Sequence, residues 1–266
     1  MYESHFQLSP RPFGDTVDPS AYVSLPSRDA ALRRLRYGLE GGPGPVVAFG
    51  PSGAGKTLLA NALARELGGA VVQVAFPAMP AAELMAFLAD ELAAPGDPAP
   101  GLAGSIRRIR GVLASAASRG ERPLLIVDEA HLIEDPATFE ALRLLLNFAS
   151  AGSPDLSMLF VGDPELLLRM PVSLVDRLAA KCLIGPLSEA ESADYVLGRL
   201  ARAGARVPLF PKDALRSLHR AADGLPRRLN RLADLALLIA YARDREEPDA
   251  ESVSLAAREA AFEHAA

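Results

Sequence analysis

One cysteine, Cys182, stands in 266 residues, so no internal disulfide framework and no cysteine-cluster metal site can form. Four scattered histidines, His5, His131, His219 and His264, show no metal-ligand spacing. Lysine is nearly as scarce: Lys56, Lys181 and Lys212 are all there is beside 25 arginines, so each lysine carries weight. The net charge is −5 and no global basic field exists to draw in nucleic acid, although a local patch still could. No uncharged apolar run reaches the roughly 18 residues of a spanning helix. The longest apolar helical stretch, Leu232 to Ala242, is interrupted by Asp234. The N-terminus has no basic stretch followed by an apolar core, so it does not read as a signal peptide and the expected location is the cytoplasm.

What is present is enough apolar material for a full core. Half the residues are hydrophobic and 23% are charged, which excludes general disorder. Short apolar runs alternate with helical periodicity through the first two thirds of the chain. Val46 to Phe49, Ala70 to Phe76, Pro123 to Val127, Leu156 to Gly162 and Lys181 to Ile184 read as buried strands. Between them, helices are expected to about Leu67, over Ala81 to Ala93, from Ser105 (as N-cap) to Ser118, over Pro136 to Ser150, and around Leu174 to Ala180, with a Pro/Gly loop at Pro95 to Gly104. This alternation predicts a parallel sheet with helices on both faces. After Pro186 only helices are expected: Ser188 to Ala203, Pro211 to Ala222, Leu225 to Ala242 and Ala250 to His264.

Gly50-Pro51-Ser52-Gly53-Ala54-Gly55-Lys56-Thr57 matches the phosphate-binding loop G-x-x-x-x-G-K-[ST] in full, after a predicted strand and at the start of a predicted helix that continues through Leu58. The glycines let backbone N–H groups wrap an anion, and the helix N-terminus adds partial positive charge. Lys56 would reach the β- and γ-phosphates of ATP, and the Thr57 hydroxyl would ligate Mg²⁺.

Leu124 to Val127 runs into Asp128-Glu129, a Walker B pattern. Asp128 would hold the Mg²⁺ shell and Glu129 would orient and polarise the attacking water. Asp128 to His131 also spells DEAH, but no helicase motif set accompanies it. Asp163 ends the next strand, where a polar residue can touch the γ-phosphate or the water; the alternative is an ordinary capping aspartate. Arg177 precedes a short strand and could reach a neighbour's γ-phosphate, or be a plain surface arginine. Arg227 follows Gly224-Leu225-Pro226 at a helix start and could close onto the nucleotide as a lid residue. Arg33-Arg34-Arg36 and Arg107-Arg108-Arg110 are basic clusters at helical spacing, either solvated faces or contacts to phosphate backbones. Phe6, Phe13 and Tyr22 could line an adenine pocket or simply pack in a core.

Together these motifs resemble an AAA+ ATPase. The start, Met1-Tyr2 with Phe6, Leu8, Pro12-Phe13, Asp18-Pro19 and Tyr22, followed by Leu35 to Leu39, is similar to the ExeA/GspA family of secretion-associated AAA+ ATPases. Leu142 to Asn147, Gly162 with Pro164 to Leu166, Gly185 to Ser188 with Glu191, and Gly224 to Arg227 with Asn230, Leu232 and Asp234 fit the same pattern. The resemblance implies a P-loop core of three layers followed by a small helical lid. Its expected division is an N-terminal segment, 1–40, packing on the nucleotide site, a core, 41–186, and a lid, 187–266. It marks Lys56, Thr57, Asp128 and Glu129 as nucleotide and hydrolysis residues, puts Asp163 at sensor 1 and Arg227 at sensor 2, and puts Arg177 where arginine fingers occur. It also implies homo-oligomers. The family usually has glutamine at the positions of Asp163 and His131, arginine at Lys181 and histidine near Arg28. Its secretion members continue into a membrane segment and a peptidoglycan-binding domain, so this chain is expected to be the ATPase module.

Three functions remain open on the sequence. One is an ATPase driving assembly of a secretion or envelope complex through a protein partner. Another is an ATP-dependent regulator binding duplex DNA, as in the related TnsC, TniB and MuB transposition ATPases. The last is an ATP-gated scaffold with little turnover.

Overall fold

The computed structural model describes residues 1–92, 101–150, 152 and 154–265. Five strands form one sheet: β1 (Val46–Phe49), β2 (Val71–Val74), β3 (Leu124–Val127), β4 (Ser157–Gly162) and β5 (Ala180–Leu183). Their order is β2-β3-β4-β1-β5 and every pairing is parallel. In register, Val46 pairs with both Leu159 and Ala180. All residues of β3 and β4 are buried, whereas the edge strands β2 and β5 are partly exposed. That contrast is what a parallel sheet covered on both faces requires of its central strands.

The helices are α1 (Tyr2–His5), α2 (Pro26–Gly41), α3 (Lys56–Leu67), α4 (Ala81–Glu91), α5 (Leu102–Ser118), α6 (Pro136–Leu145), α7 (Leu166–Arg169), α8 (Val172–Val175), α9 (Glu189–Arg202), α10 (Lys212–Ala222), α11 (Pro226–Ala242) and α12 (Ala250–Ala265). The chain folds into two compact units: Ala30–Pro51 with Leu59–Ile184, and Met1–Asp29 with Ser52–Leu58 and Gly185–Ala266.

The first of these holds the sheet. Val47, Leu125, Met158 and Phe160 share one core with Leu84 and Leu88 of α4, Ile109 and Leu113 of α5, and Phe139 and Leu142 of α6. The Phe139 and Phe160 rings lie 6.1 Å apart. Val46 points the other way, because successive strand residues alternate faces. There a Cβ added to Gly38 of α2 would lie 2.7 Å from Val46 Cγ1. The sheet is therefore layered between helices on both sides, the α/β architecture of the P-loop proteins.

The second unit is helical. Tyr2, Phe6, Leu8, Phe13 and Leu25 pack into one core with Tyr195, Leu200, Phe210, Leu218, Leu229 and Leu237 from α9, the segment before α10, α10 and α11. Buried Arg199 secures the N-terminal segment: it donates to the carbonyls of Pro12 and Gly14 at 2.8 Å each and to the Tyr195 hydroxyl at 3.0 Å. The aromatics Phe6 and Phe13 are thus core residues of this unit, and Phe13 meets the Phe210 ring edge-on.

Several elements depart from the periodicity reading. Helix α2 was not expected, because its apolar stripe (Ala31, Leu32, Leu35, Leu39) is interleaved with Arg33, Arg34 and Arg36. Helix α5 begins at Leu102 after Gly101, which adopts φ 89°, so Ser105 is a buried interior residue and not the N-cap. The helix expected over 174–180 is confined to Val172–Val175, since Ala180 already pairs with Val46 as β5. Helix α6 stops at Leu145, five residues early, and Ala149 bridges back to Pro154. The Pro/Gly loop expected at 95–104 lies largely outside the described residues.

Candidate functional site

The phosphate-loop sequence leaves the carboxyl end of β1. Gly50 donates its N–H to Gly162 O at 3.2 Å, which prolongs the β1–β4 ladder by one step. A Cβ on Gly50 would lie 2.1 Å from Ile184 O, so only glycine fits where β1 exits beside the end of β5.

Within the helical unit, Gly53 and Gly55 adopt φ 78° and 87°, the left-handed region that glycine enters freely. Such turns aim backbone N–H groups into a common concavity. Lys56 opens α3 and is 92% buried, with no acidic residue in the helix's first turn to offset its positive end. Pro226 sits in the first turn of α11, as the Gly-x-Pro-Arg spacing predicts. The next residue, Arg227, donates its backbone N–H to Gly53 O and a guanidinium N–H to Ser52 Oγ, both at 3.2 Å. A cavity of about 1010 Å³ opens here, lined by Ser52, Gly53, Phe13, Asp15, Arg227 and Arg231 among others.

In the sheet unit, β4 lies between β3 and β1, so all three strands discharge at the same carboxyl edge. Ligand sites of open α/β sheets form outside that edge. Asp128 continues β3 by donating its N–H to Val74 O at 2.9 Å, and its side chain is buried. Its Oδ1 accepts the N–H of Glu129 at 2.9 Å. Glu129 itself has φ 48° and ψ 35°, a left-handed conformation uncommon outside glycine, asparagine and aspartate. That twist sends the Glu129 carboxylate outward, half-exposed.

Asp163 follows β4. Its Oδ1 accepts the N–H of Glu165 at 3.0 Å, the capping geometry that was one of its two readings. Its other oxygen lies 3.5 Å from His131 Nε2, while His131 Nδ1 lies 3.4 Å from Glu129 Oε2. In the sequence His131 stands out only as the end of the DEAH run and as a departure from the family's usual glutamine, without metal-ligand spacing, and none of these points to its contacts. Its partners are 2 and 32 residues away, and strand pairing brings them together.

Arg177 is elsewhere. It precedes β5, at the amino-terminal edge of the sheet, whereas Gly50, Asp128 and Asp163 follow strands at the opposite edge. It is exposed, donates to Asn147 Oδ1 at 3.1 Å, and its carbonyl would be 1.8 Å from a Cβ on Gly44. Arg177 therefore does not join Asp128 and Glu129 in its own sheet. Cys182 is buried in β5. Among the described residues no group of three or more His, Cys, Asp or Glu could hold a metal, and no helix is long and apolar enough to cross a membrane. Hydroxyl and carboxylate oxygens are both chemically suitable Mg²⁺ donors; the helical unit offers the Thr57 hydroxyl and the sheet unit the Asp128 carboxylate.

An AAA domain model matches residues 39–170. The chain is 35% identical to General secretion pathway protein A of Aeromonas hydrophila, in an alignment covering 97% of this chain and 48% of that protein. It thus spans about half the length of the curated relative it matches. Among solved structures, Cdc6p from Pyrobaculum aerophilum superposes with a TM-score of 0.69 at 18% identity, over 97% of this chain and 70% of that one. The Aeropyrum pernix ORC1 protein in complex with DNA gives 0.64 at 19% identity, over 91% and 68%. At these identities the likeness is one of fold.

Proposed function

Because the chain belongs to the AAA+ P-loop proteins, we propose that it binds and hydrolyses MgATP and uses that cycle to switch an oligomeric assembly. The observation that carries this reading is the contact of Arg227 with the loop Ser52-Gly53 beside buried Lys56. A lid arginine and a phosphate-loop lysine then converge on one anion. The loop from Gly50 through Leu58 cradles the phosphates with its backbone N–H groups, those of Ser52 and Ala54 included, while Pro51, which has no N–H, shapes the turn. Lys56 neutralises the β- and γ-phosphates, and Arg227 reads the presence of the γ-phosphate. Thr57 and Asp128 hold Mg²⁺, which when bound neutralises charge developing on the phosphate oxygens. Glu129 accepts a hydrogen bond from the attacking water and orients it. Asp163 stands at the sensor position beside it. Arg177, at the far edge of the sheet, serves a neighbouring subunit's nucleotide, which requires a homo-oligomer.

The partner is a protein complex of the secretion or envelope type, as the name of the Aeromonas relative suggests. ATP and the single cysteine suit the cytoplasm. Exposed Arg33 and Arg34 on α2 keep a second reading, an ATP-dependent duplex-DNA regulator, worth measuring.

Steady-state phosphate release from MgATP, with and without duplex DNA, tests the reading on wild type, Lys56→Ala and Glu129→Gln. The expected result is turnover by wild type, no ATP binding by Lys56→Ala, and ATP binding without turnover by Glu129→Gln. Unchanged ATP affinity in Lys56→Ala would refute the site. Strong DNA stimulation that vanishes in Glu129→Gln and falls steeply with salt would transfer the function to DNA. Tight binding by wild type with no phosphate release would leave an ATP-gated scaffold.

A further inference from the structure

Helix α10 separates its apolar and polar faces more sharply than any other long helix of the chain. Ala214, Leu215, Leu218 and Ala222 are buried in the core of the helical unit. At roughly 100° per residue, the side of the helix turned away from that core carries Lys212, Arg216 and Arg220. All three are exposed. Steps of four residues set their side chains one above another, so they form a row about 12 Å long.

The row is not a set of ion pairs. Arg11, Arg36, Arg119 and Arg228 each meet a carboxylate, whereas Lys212, Arg216 and Arg220 meet none among the described residues. The acids nearest to them in the chain are engaged elsewhere. Asp213 Oδ1 accepts the N–H of Ala214 at 3.0 Å, and Asp223 pairs with Arg228. Like charges one turn apart repel, so the row weakens its own helix. An anionic surface would turn that repulsion into attraction. The segment leading into α10 adds exposed Arg206 and Val207, the latter 63% exposed.

We propose that the outer face of α10 docks on an anionic lipid bilayer. A straight row on the convex side of a helix suits a plane of headgroups, with each cation close to the negative surface. Val207 supplies an apolar side chain that a lipid interface accepts and a phosphate backbone does not use. No aromatic side chain stands in the row to stack on bases. The chain as a whole carries a net charge of −5, so such a membrane repels most of it. The contact therefore also orients the helical unit, with α10 against the lipid. It is peripheral and requires no spanning helix. It goes beyond the ATPase reading and does not depend on it.

Flotation of the whole purified chain tests the contact. The vesicles are equal parts phosphatidylglycerol and phosphatidylcholine, or phosphatidylcholine alone, at low and at high salt. Wild type is expected to float with the anionic vesicles at low salt, to be released by high salt, and to ignore the neutral vesicles. Each cation near such a surface is worth roughly fivefold in partition, so Lys212→Gln, Arg216→Gln and Arg220→Gln combined are expected to lower it about a hundredfold. The three side chains are exposed, so the melting temperature and ATP affinity of this variant are expected to match wild type. Arg33→Gln with Arg34→Gln removes two cations from the sheet unit instead, and is expected to float as wild type does. Equal flotation with anionic and neutral vesicles would overturn the proposal. So would a folded triple variant that still floats, or an equal loss in the Arg33 and Arg34 variant. Tighter binding of a labelled DNA duplex than of anionic vesicles, lost in the triple variant, would assign the row to nucleic acid and overturn the lipid contact.

Discussion

Arg227 and Ser52 are joined by a guanidinium-to-hydroxyl hydrogen bond of 3.2 Å, although 175 residues separate them in the chain. A neutral hydroxyl is a weak partner for a guanidinium, and an anionic phosphate oxygen would displace it. Arg227→Ala is expected to weaken ATP binding about tenfold, the scale of one hydrogen bond to a charged group, and to weaken ADP binding less. Titration calorimetry with both nucleotides checks this. Equal losses for ATP and ADP would mean that Arg227 does not read the γ-phosphate.

Gly50 makes a separate prediction about stability. A methyl group there would sit 2.1 Å from the Ile184 carbonyl oxygen, a backbone atom that cannot rotate away. Gly50→Ala is expected to cost about 2 kcal/mol or more. Gly41→Ala, where nothing lies within 4 Å and φ is not positive, should cost little. Thermal melts of the two variants compare them directly, and a Gly50→Ala melt like that of Gly41→Ala would show that the strand exit yields.

These two glycines show what was legible in the chain. The phosphate loop could be read because its chemistry is local: glycines, lysine and threonine lie in one short run. The buried strands β3 and β4 could be read because burial on both faces leaves unbroken apolar runs. The start of α11 could be read because proline and glycine mark it. Helix α2 could not, since arginines on its outer face hid the stripe formed by Leu32, Leu35 and Leu39. Nor could the packing of residues 1–29 with α9, α10 and α11, which depends on Arg199 reaching the Pro12 and Gly14 carbonyls. The His131 cluster was invisible for the same reason: pairing of β3 with β4, not spacing, makes it.

Arg177 gives a prediction that concerns more than one copy of the chain. It lies at the sheet edge opposite the strand ends that carry Asp128 and Asp163, tethered to Asn147. Arg177→Ala is expected to bind ATP as wild type does yet lose the concentration-dependent part of turnover. Mixing it with Glu129→Gln should recover activity, because each variant supplies the part that the other lacks. Mixtures that stay silent while both variants still associate would place the finger at another arginine.

Glu191 makes stability depend on pH. It completes a capping box with Ser188 at the start of α9, and its Oε1 also accepts the N–H of Ser27 at 2.8 Å. Burial pushes this carboxyl up, but the hydrogen bonds from Ser27 and Ser188 outweigh it and hold the group below the ordinary glutamate value. The folded protein therefore binds the Glu191 proton less readily than the unfolded chain. The resulting stability is fully present above the unfolded value, about 4.3, and disappears as pH falls through the folded one. Glu191→Gln is expected to lower stability by about 1 kcal/mol at neutral pH, a shift of a few degrees in the melting temperature. The gap between variant and wild type should narrow as the pH drops from about 5 towards 3.5. A gap that stays constant over that range would mean that the charge on Glu191 contributes nothing and that only the shape of its side chain matters to the cap.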